Sequence, residues 1–441
     1  MKPVQNFDAK NLGWMRRYRK QFHLTPDKGP KPTDASEWGA FLKSLQRDIA
    51  LGTMKFTRLH SSVLVRNPRP RVILSTKSLD ESLVLRKIND NLRRSYGIRG
   101  TNRGEAVTTL MQALGENTPK AIYRVDIKSC FESISRSAVL KKLRGDGLVS
   151  YQTIALVDQI FERAATLRPK VGKRGLPRGL ILSGTLAEIY LIAMDKALRD
   201  IEGVYLVVRY VDDFVVMSSG SIEALTTEVR RVLAQLQLRP NPKKTKPYFV
   251  GCKCSEECPH GAACPCAKTC ACGTNDARAI HRLEYLGYEL RFSAYNVGRG
   301  TNDVRVVFSE AKIKKLKTRI FLAARAYIKS GDIQLYIDRL SFLTGNQMML
   351  SSSGKRGLFT GIAYSHPLYA PGESDARTQT LQELDLFLQR TTRFALRNRA
   401  TAVFFKEELV KLNFAAGFNQ RRRTKFSAAR MGAIARCWSN V

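Results

Sequence analysis

The chain has 441 residues, enough for two or three compact units that each bury a core. Its hydrophobic content of 44% and charged content of 25% are those of an ordinary folded chain. With no run of about 18 apolar residues and no basic amphipathic helix with an aromatic face, nothing marks it for a membrane. The charge balance is far from ordinary: 74 Lys and Arg against 38 Asp and Glu leave +36. A polyanion would relieve that self-repulsion, so nucleic acid is the expected partner.

In chain order, residues 1–50 read as a basic extension rich in turn formers. They lack the apolar core of a signal peptide, which points to a cytoplasmic location. Residues 61–74 (SSVLVRNPRPRVIL) predict two short strands about a proline-containing turn. Residues 79–95 predict an amphipathic helix that buries Leu83, Leu85, Ile88 and Leu92. The runs AIYRVDI (121–127), VYLVVRY (204–210) and FVVM (214–217) predict strands of one sheet. Between them, 183–198 predicts a helix with Leu186, Ile189, Tyr190 and Met194 inward. After them, 221–238 predicts another, with Ser221 as N-cap and Leu225, Val229, Val232 and Leu236 on one face. Strands alternating with helices that cover one face indicate an α+β sheet domain. From Ser309 onward, three stretches of 3.6-residue period predict basic helices, with loops at 351–357 and 369–376. No acidic residue follows Glu408, and Arg421, Arg422, Arg423, Lys425, Arg430 and Arg436 read as a phosphate-contacting tail.

Tyr210-Val211-Asp212-Asp213 lies between two apolar strands, so its tandem carboxylates should stand at a hairpin turn at the sheet end. Oxygen ligands there suit a hard divalent cation. Alone, such a pair is as well read as a solvated turn. Asp126, which closes the run 121–127, adds a third carboxylate at a neighbouring strand end. Together the three make a site for two Mg2+ ions, with Mn2+ as the alternative. One ion would acidify an attacking 3′-hydroxyl, and the other would hold a triphosphate and its leaving pyrophosphate.

These segments resemble the motifs of reverse transcriptases. Asp126 to Phe131 is similar to motif A, GLPRGLILSGTLAEIYL (175–191) to motif B, and Tyr210 to Asp213 to the YxDD motif C. NPKKTK (241–246) is similar to motif D, EYLGYEL (284–290) to the primer-grip hairpin of motif E, and RPRVILSTKSLDESLVLRKIN (69–89) to the fingers motifs. The matches fall in the family's order over about residues 60 to 320. In character they resemble bacterial enzymes of the retron, group II intron and phage-defence type.

The resemblance implies a right-hand polymerase. Fingers would span 51–120, the palm 121–307 (with 136–175 contributing to the fingers), a helical thumb 308–400 and a basic tail 401–441. It implies RNA-directed DNA synthesis from dNTPs on an RNA template, with a DNA product and a dedicated noncoding RNA as partner. Asp126, Asp212 and Asp213 would hold the metals, Asp213 less directly. Phe131 would lie under the incoming sugar and leave no room for a 2′-hydroxyl; the plainer reading is a core aromatic. Lys244 would protonate or neutralise departing pyrophosphate, unless it is simply an exposed lysine in a basic loop. Arg71 and Lys77 would touch the triphosphate or an RNA backbone, and Gly179 would let the chain approach the base pair. Arg178 departs from the family's glutamine. It adds a permanent charge and a bidentate fork, so nucleotide choice or template handling should differ.

Seven of the nine cysteines fall between Cys252 and Cys272. Their spacing is C-x-C-x3-C-x-H (Cys252, Cys254, Cys258, His260), then C-x-C-x3-C-x-C (Cys264, Cys266, Cys270, Cys272), each ligand recurring 12 residues on. Two tetrahedral sets suit two structural Zn2+ ions in an insert of the palm at 251–273. Whether each repeat closes its own site or the sets interleave stays open, as do a disulfide knot and a looser soft-metal cluster. Two other functions also stay open on sequence alone: template-independent addition of deoxynucleotides, and a non-catalytic, zinc-containing nucleic-acid binder.

Overall fold

The computed structural model describes residues 5–17, 32, 34–64, 71–100, 102–116, 118–167, 174–250, 280–293, 303–350, 357–369, 376–397 and 406–438. The cysteine insert, with all eight of its expected zinc ligands, lies outside the described residues.

Helices α1 (Ala9–Arg17) and α2 (Ala35–Ala50) come first, then hairpin strands β1 (His60–Leu64) and β2 (Arg71–Ser75), α3 (Leu79–Ser95) and α4 (Arg103–Gly115). Next are β3 (Lys120–Asp126), the short α5 (Cys130–Ser133), α6 (Arg136–Asp146), α7 (Tyr151–Leu167) and α8 (Leu182–Arg199). β4 (Val204–Tyr210), β5 (Asp213–Ser218), α9 (Ile222–Gln235) and β6 (Lys246–Val250) follow. Then come β7 (Ile280–Tyr285), β8 (Tyr288–Ser293), β9 (Val304–Phe308), α10 (Glu310–Ser330) and α11 (Ile333–Thr344). After β10 (Asn346–Leu350), β11 (Gly357–Gly361) and α12 (Ala376–Leu396), the chain ends in α13 (Lys406–Lys411), α14 (Phe414–Asn419), β12 (Arg423–Thr424) and α15 (Ala428–Arg436).

Two compact units result. The first comprises Met1–Thr101, Ala121–Tyr248 and Ser351–Ser353. Its sheet runs β4-β5-β3-β6, with β4, β5 and β3 antiparallel. β3 is central, and Ala121, Ile122, Tyr123 and Val125 are all buried, as a strand covered on both faces requires. The expected inward residues of α3 and α8 are buried, and Ser221 caps α9 by accepting from the Ala224 N–H at 3.1 Å. One expectation fails here. The first 50 residues are more than a turn-rich extension, because Asp34 caps α2 through the Glu37 N–H, and α2 buries Trp38, Leu45 and Ile49. The Pro- and Gly-rich stretch before Asp34 hides that helix from a composition reading.

The second unit comprises Asn102–Lys120, Phe249–Leu350 and Gly354–Val441. Antiparallel β7-β8-β9 turns tightly between Tyr285 and Tyr288, where Leu286 and Gly287 both take positive φ. The Phe308 ring stacks on Tyr369 at 4.3 Å and meets His366 edge-on at 4.9 Å, so β9 and the segments after it share one core. Residues 401–441, read as a basic tail, are folded wherever they are described. Leu409, Leu412, Phe414, Phe418, Ile434 and Trp438 are buried, and this apolar set anchors the segment. β10, β11 and β12 form a sheet with β10 in the middle, which the sequence does not announce because Asn346 and Gln347 occupy buried positions. Among the described residues, no helix is long and apolar enough to cross a membrane.

Candidate active site

β3 and β5 are antiparallel neighbours whose register sets Asp126 opposite Asp213. β4 and β5 are joined by a two-residue turn, Val211-Asp212, across the pair Tyr210 and Asp213. Val211 takes φ 59°, a left-handed conformation that a β-branched residue adopts only under strain, at a cost of about 1–2 kcal/mol. The turn is braced from behind. Arg209 donates to Asp195 twice at 2.7 Å, to Glu188 at 2.8 Å and to the Val211 carbonyl at 3.1 Å. The Ile127 N–H then donates to the Asp212 carbonyl at 2.8 Å, which ties the turn to the end of β3.

Asp126 is 7% exposed. One of its oxygens accepts from Asn241 Nδ2 at 2.8 Å and the other from Lys244 Nζ at 2.9 Å. The Asn241 N–H also reaches the Asp126 carbonyl at 2.7 Å, so the 241–245 turn is docked on the strand end. Burial raises the pKa of Asp212, helped by the charge of Asp126. Asp213 is likewise raised by burial, against the pull of Arg124. The Arg124 guanidinium grips both oxygens of Asp213, at 3.3 and 3.1 Å.

The three acids therefore converge in backbone register, yet their side chains are not gathered as a triad. Among the described residues, no three Asp, Glu, His or Cys side chains are disposed to hold one ion. Asp126 and Asp212 nonetheless fit a hard divalent cation. An ammonium already sits on one Asp126 oxygen, and Asp212 is disfavoured as an anion by burial and by its neighbour's charge, which a cation would relieve.

Beside the acids, Phe131 lies under Arg178, whose guanidinium carbon is 4.9 Å from the ring centroid. Glu132 holds that guanidinium by two parallel bonds of 2.6 and 3.0 Å, which raise the pKa of Arg178. Cys130 is buried, its thiol pushed up to about 12 chiefly by burial, so it packs rather than reacts. Gly179 takes φ 96°, and a Cβ there would strike the Ile73 side chain and the Leu74 carbonyl. The Leu74 N–H donates to the Arg178 carbonyl at 2.7 Å, so this glycine serves a close crossing of β2 over the loop before α8. Arg71 opens β2 opposite Leu64, and Lys77 is exposed in the loop before α3. Lys77 is joined to the acids by no described hydrogen bond. Glu132, Asn241, Arg124 and Arg209 were not singled out in the sequence. Only Asn241 carried a signal, as the Asn that opens the motif D turn.

The description "Reverse transcriptase (RNA-dependent DNA polymerase)" belongs to a family model that matches residues 66–290, just over half of the chain. Among solved structures, apo telomerase from Candida tropicalis truncated from its C-terminal domain is similar at 13% identity and a TM-score of 0.36, covering 63% of each chain. Telomerase from Candida albicans in complex with a TWJ fragment of telomeric RNA is similar at 12% identity and a TM-score of 0.35, covering 86% of this chain and 61% of that one. The chain thus spans less than two thirds of either telomerase chain. No curated protein matches it.

Proposed function

The chain belongs to the reverse transcriptase family, and from that premise we propose that it is an RNA-directed DNA polymerase with its reaction centre at Asp126, Asp212 and Asp213. The observation that carries the reading is the register that sets Asp126 opposite Asp213, with Asp212 in the turn between strands. Asp126 and Asp212, with Asp213 beside them, would hold two Mg2+ ions, or Mn2+ in their place, which would make a 3′-hydroxyl more acidic and neutralise charge on a triphosphate.

The chain's own residues do the rest. Asn241 keeps the Asp126 carboxylate oriented from one side. Lys244, whose side chain is 59% exposed, is free to leave Asp126 and bring its ammonium, or a proton from it, to departing pyrophosphate. Arg209 holds the strained turn that carries Asp212. Phe131, fixed between the palm and the Arg178 guanidinium, forms the floor under the incoming sugar and excludes a 2′-hydroxyl. Arg71 and Lys77 belong to the same reading as contacts to triphosphate or template, with Gly179 letting the chain approach the base pair.

The finer identity rests on the sequence. We assign two structural zinc ions to Cys252, Cys254, Cys258, His260, Cys264, Cys266, Cys270 and Cys272. We also assign a cytoplasmic role with a dedicated noncoding RNA, in phage defence, because the motifs resemble bacterial enzymes of that type. Purified protein would be tested for dNTP and rNTP incorporation with and without an RNA template. Template-dependent dNTP addition that disappears in Asp212→Asn/Asp213→Asn is the expected result. Incorporation without template would favour terminal addition, and full biological activity of the double variant would favour a binding protein with an inert palm. Elemental analysis finding no zinc would remove the metal assignment of the insert, and sequencing of copurified nucleic acid finding no discrete RNA would remove the partner.

A further inference from the structure

The three consecutive arginines near the C-terminus have separate fates. Arg422 turns inward, donating to the Lys411 carbonyl at 2.7 Å and to Thr344 Oγ1 at 2.5 Å. Arg421 and Arg423 are exposed, as is Lys425. Among the described residues, none of these three forms an ion pair with a carboxylate, whereas nearby Arg430 is taken by Asp338 at 2.5 Å. In place of acids, the two arginines face aromatic rings. Phe359 of β11 and Tyr364 of the turn after it stack at 4.8 Å and 20°. The Arg423 guanidinium carbon is 4.8 Å from the Phe359 centroid and 5.8 Å from that of Tyr364, and its Nη2 donates to the Tyr364 hydroxyl at 2.7 Å. Arg421 stands 6.0 Å from the Tyr364 centroid, in a left-handed conformation with φ 49°.

A buried amide sets this face. Asn346 is fully buried; its Oδ1 accepts from the N–H groups of Ala363 at 2.9 Å and Tyr364 at 3.3 Å, and its Nδ2 donates to the carbonyls of Gly417 at 3.1 Å and Arg422 at 3.3 Å. One side chain thus fixes the turn that bears Tyr364 and the arginine segment together. The junction admits no slack, since a Cβ on Gly361 would come 2.5 Å from Asn346 Cα, and one on Gly417 would strike the Thr344 carbonyl. The scaffold holds the partly exposed rings of Phe359 and Tyr364 beside two exposed guanidinium groups that pair with no described carboxylate.

We propose that Phe359, Tyr364, Arg421 and Arg423 form a binding site for single-stranded nucleic acid. Such a strand brings unpaired bases, which stack on rings and on guanidinium planes, and phosphates, which answer the charge. A duplex offers the phosphates but keeps its bases stacked inside. The site does not rest on the polymerase reading and would exist in an inactive enzyme.

The test uses full-length protein and fluorescein-labelled strands of 15 uridines or 15 thymidines, with a hairpin duplex for comparison. Tyr364→Ala and Arg423→Ala should each weaken single-strand binding roughly 5- to 100-fold, the range for loss of one stacked base, and weaken duplex binding much less. Arg423→Lys should keep the salt dependence without restoring affinity. A preference for uridine assigns the site to RNA, for thymidine to the DNA product, and equal affinity to either strand; all three support it. To guard against misfolding, wild-type protein would be photo-crosslinked to a 4-thiouridine strand, with adducts expected on Phe359 or Tyr364. Unchanged affinity in all three variants, or adducts only elsewhere, overturns the proposal. So does displacement of the strand by poly-glutamate as readily as by unlabelled oligouridine, since that would mark a site for acidic protein. Asp212→Asn/Asp213→Asn should bind the strands as wild type does, and Tyr364→Ala should still extend a pre-annealed primer, which separates failure here from failure of the polymerase reading.

Discussion

Arg178 replaces a neutral amide with a charge that must be held somewhere, and Glu132 holds it. The pair is bidentate but partly solvated, with 27% and 40% of the two side chains exposed, so it acts through geometry more than through stability. Glu132 is a positioning residue for Phe131, because it holds the guanidinium over the ring. Glu132→Gln should lower the preference for dNTP over rNTP by about 3- to 10-fold, an energy of about 1 kcal/mol, while kcat with dNTP changes little. Competing single-nucleotide incorporations would measure it, and unchanged selectivity would show that the ring needs no such clamp. The acids and Lys244 were legible in the sequence because each sits in a short motif. Glu132, Asn241 and Arg124 were not, since they find their partners across 46, 115 and 89 residues of chain. Such pairings carry no local pattern.

At the scale of elements, strands and helices with clean periodicity were readable, including α3, β3, β4, α8 and α9. Those defined by a distant partner were not. β10 and β12 exist because Asn346 binds three segments at once, and a buried polar pair at the start of a strand breaks the alternation a reader looks for. The crossing of β2 over the loop before α8 is of the same kind, and Gly179 controls it. Gly179→Ala should destabilise the first unit by about 2–4 kcal/mol, combining positive φ with overpacking against Ile73 and Leu74. Gly184→Ala is the control: its Cβ would meet nothing within 4 Å and it lies in α8, so it should be neutral or stabilising by up to about 1 kcal/mol. Chemical denaturation of the two variants decides it; equal midpoints would mean that the crossing yields freely.

The aromatic core of the second unit carries its own pH dependence. His366 is 2% exposed between Tyr288 and Phe308, with Nδ1 unpartnered among described groups. Burial, with Lys312 and Arg103 nearby, holds its pKa down at about 2. The unfolded chain protonates this ring near pH 6.5, the folded chain only near pH 2, so between those values the unfolded state binds more protons. Stability is then lost as pH falls below about 6.5, by about 1.4 kcal/mol at pH 5.5. His366→Phe keeps the ring contacts and removes the proton site. Its unfolding midpoint should shift less between pH 7.5 and 5.5 than that of wild type, and an equal shift would locate the dependence elsewhere.

Across the whole molecule, the excess of +36 is not hidden by pairing. Among the described residues, some acids are drawn into internal tasks, Asp195 and Glu188 on Arg209 and Glu132 on Arg178. Others pair with exposed arginines, as Asp90 does with Arg94, Asp158 with Arg144 and Glu228 with Arg231, but 38 acids cannot neutralise 74 basic residues, and a strongly basic surface remains. If that surface meets nucleic acid through some 6–10 phosphates, the logarithm of the association constant should fall with the logarithm of salt with a slope of about −4 to −7 for a single strand. Affinity would then drop roughly 10²- to 10⁴-fold between 50 and 200 mM salt. The same titration separates charge from stacking. Arg423→Ala should make the slope shallower by about 0.7, one phosphate contact, whereas Tyr364→Ala should lower affinity by a constant factor at every salt concentration. A wild-type slope shallower than about −2 would mean that the excess charge faces solvent rather than a polyanion, and the partner inferred from composition would then have to be abandoned.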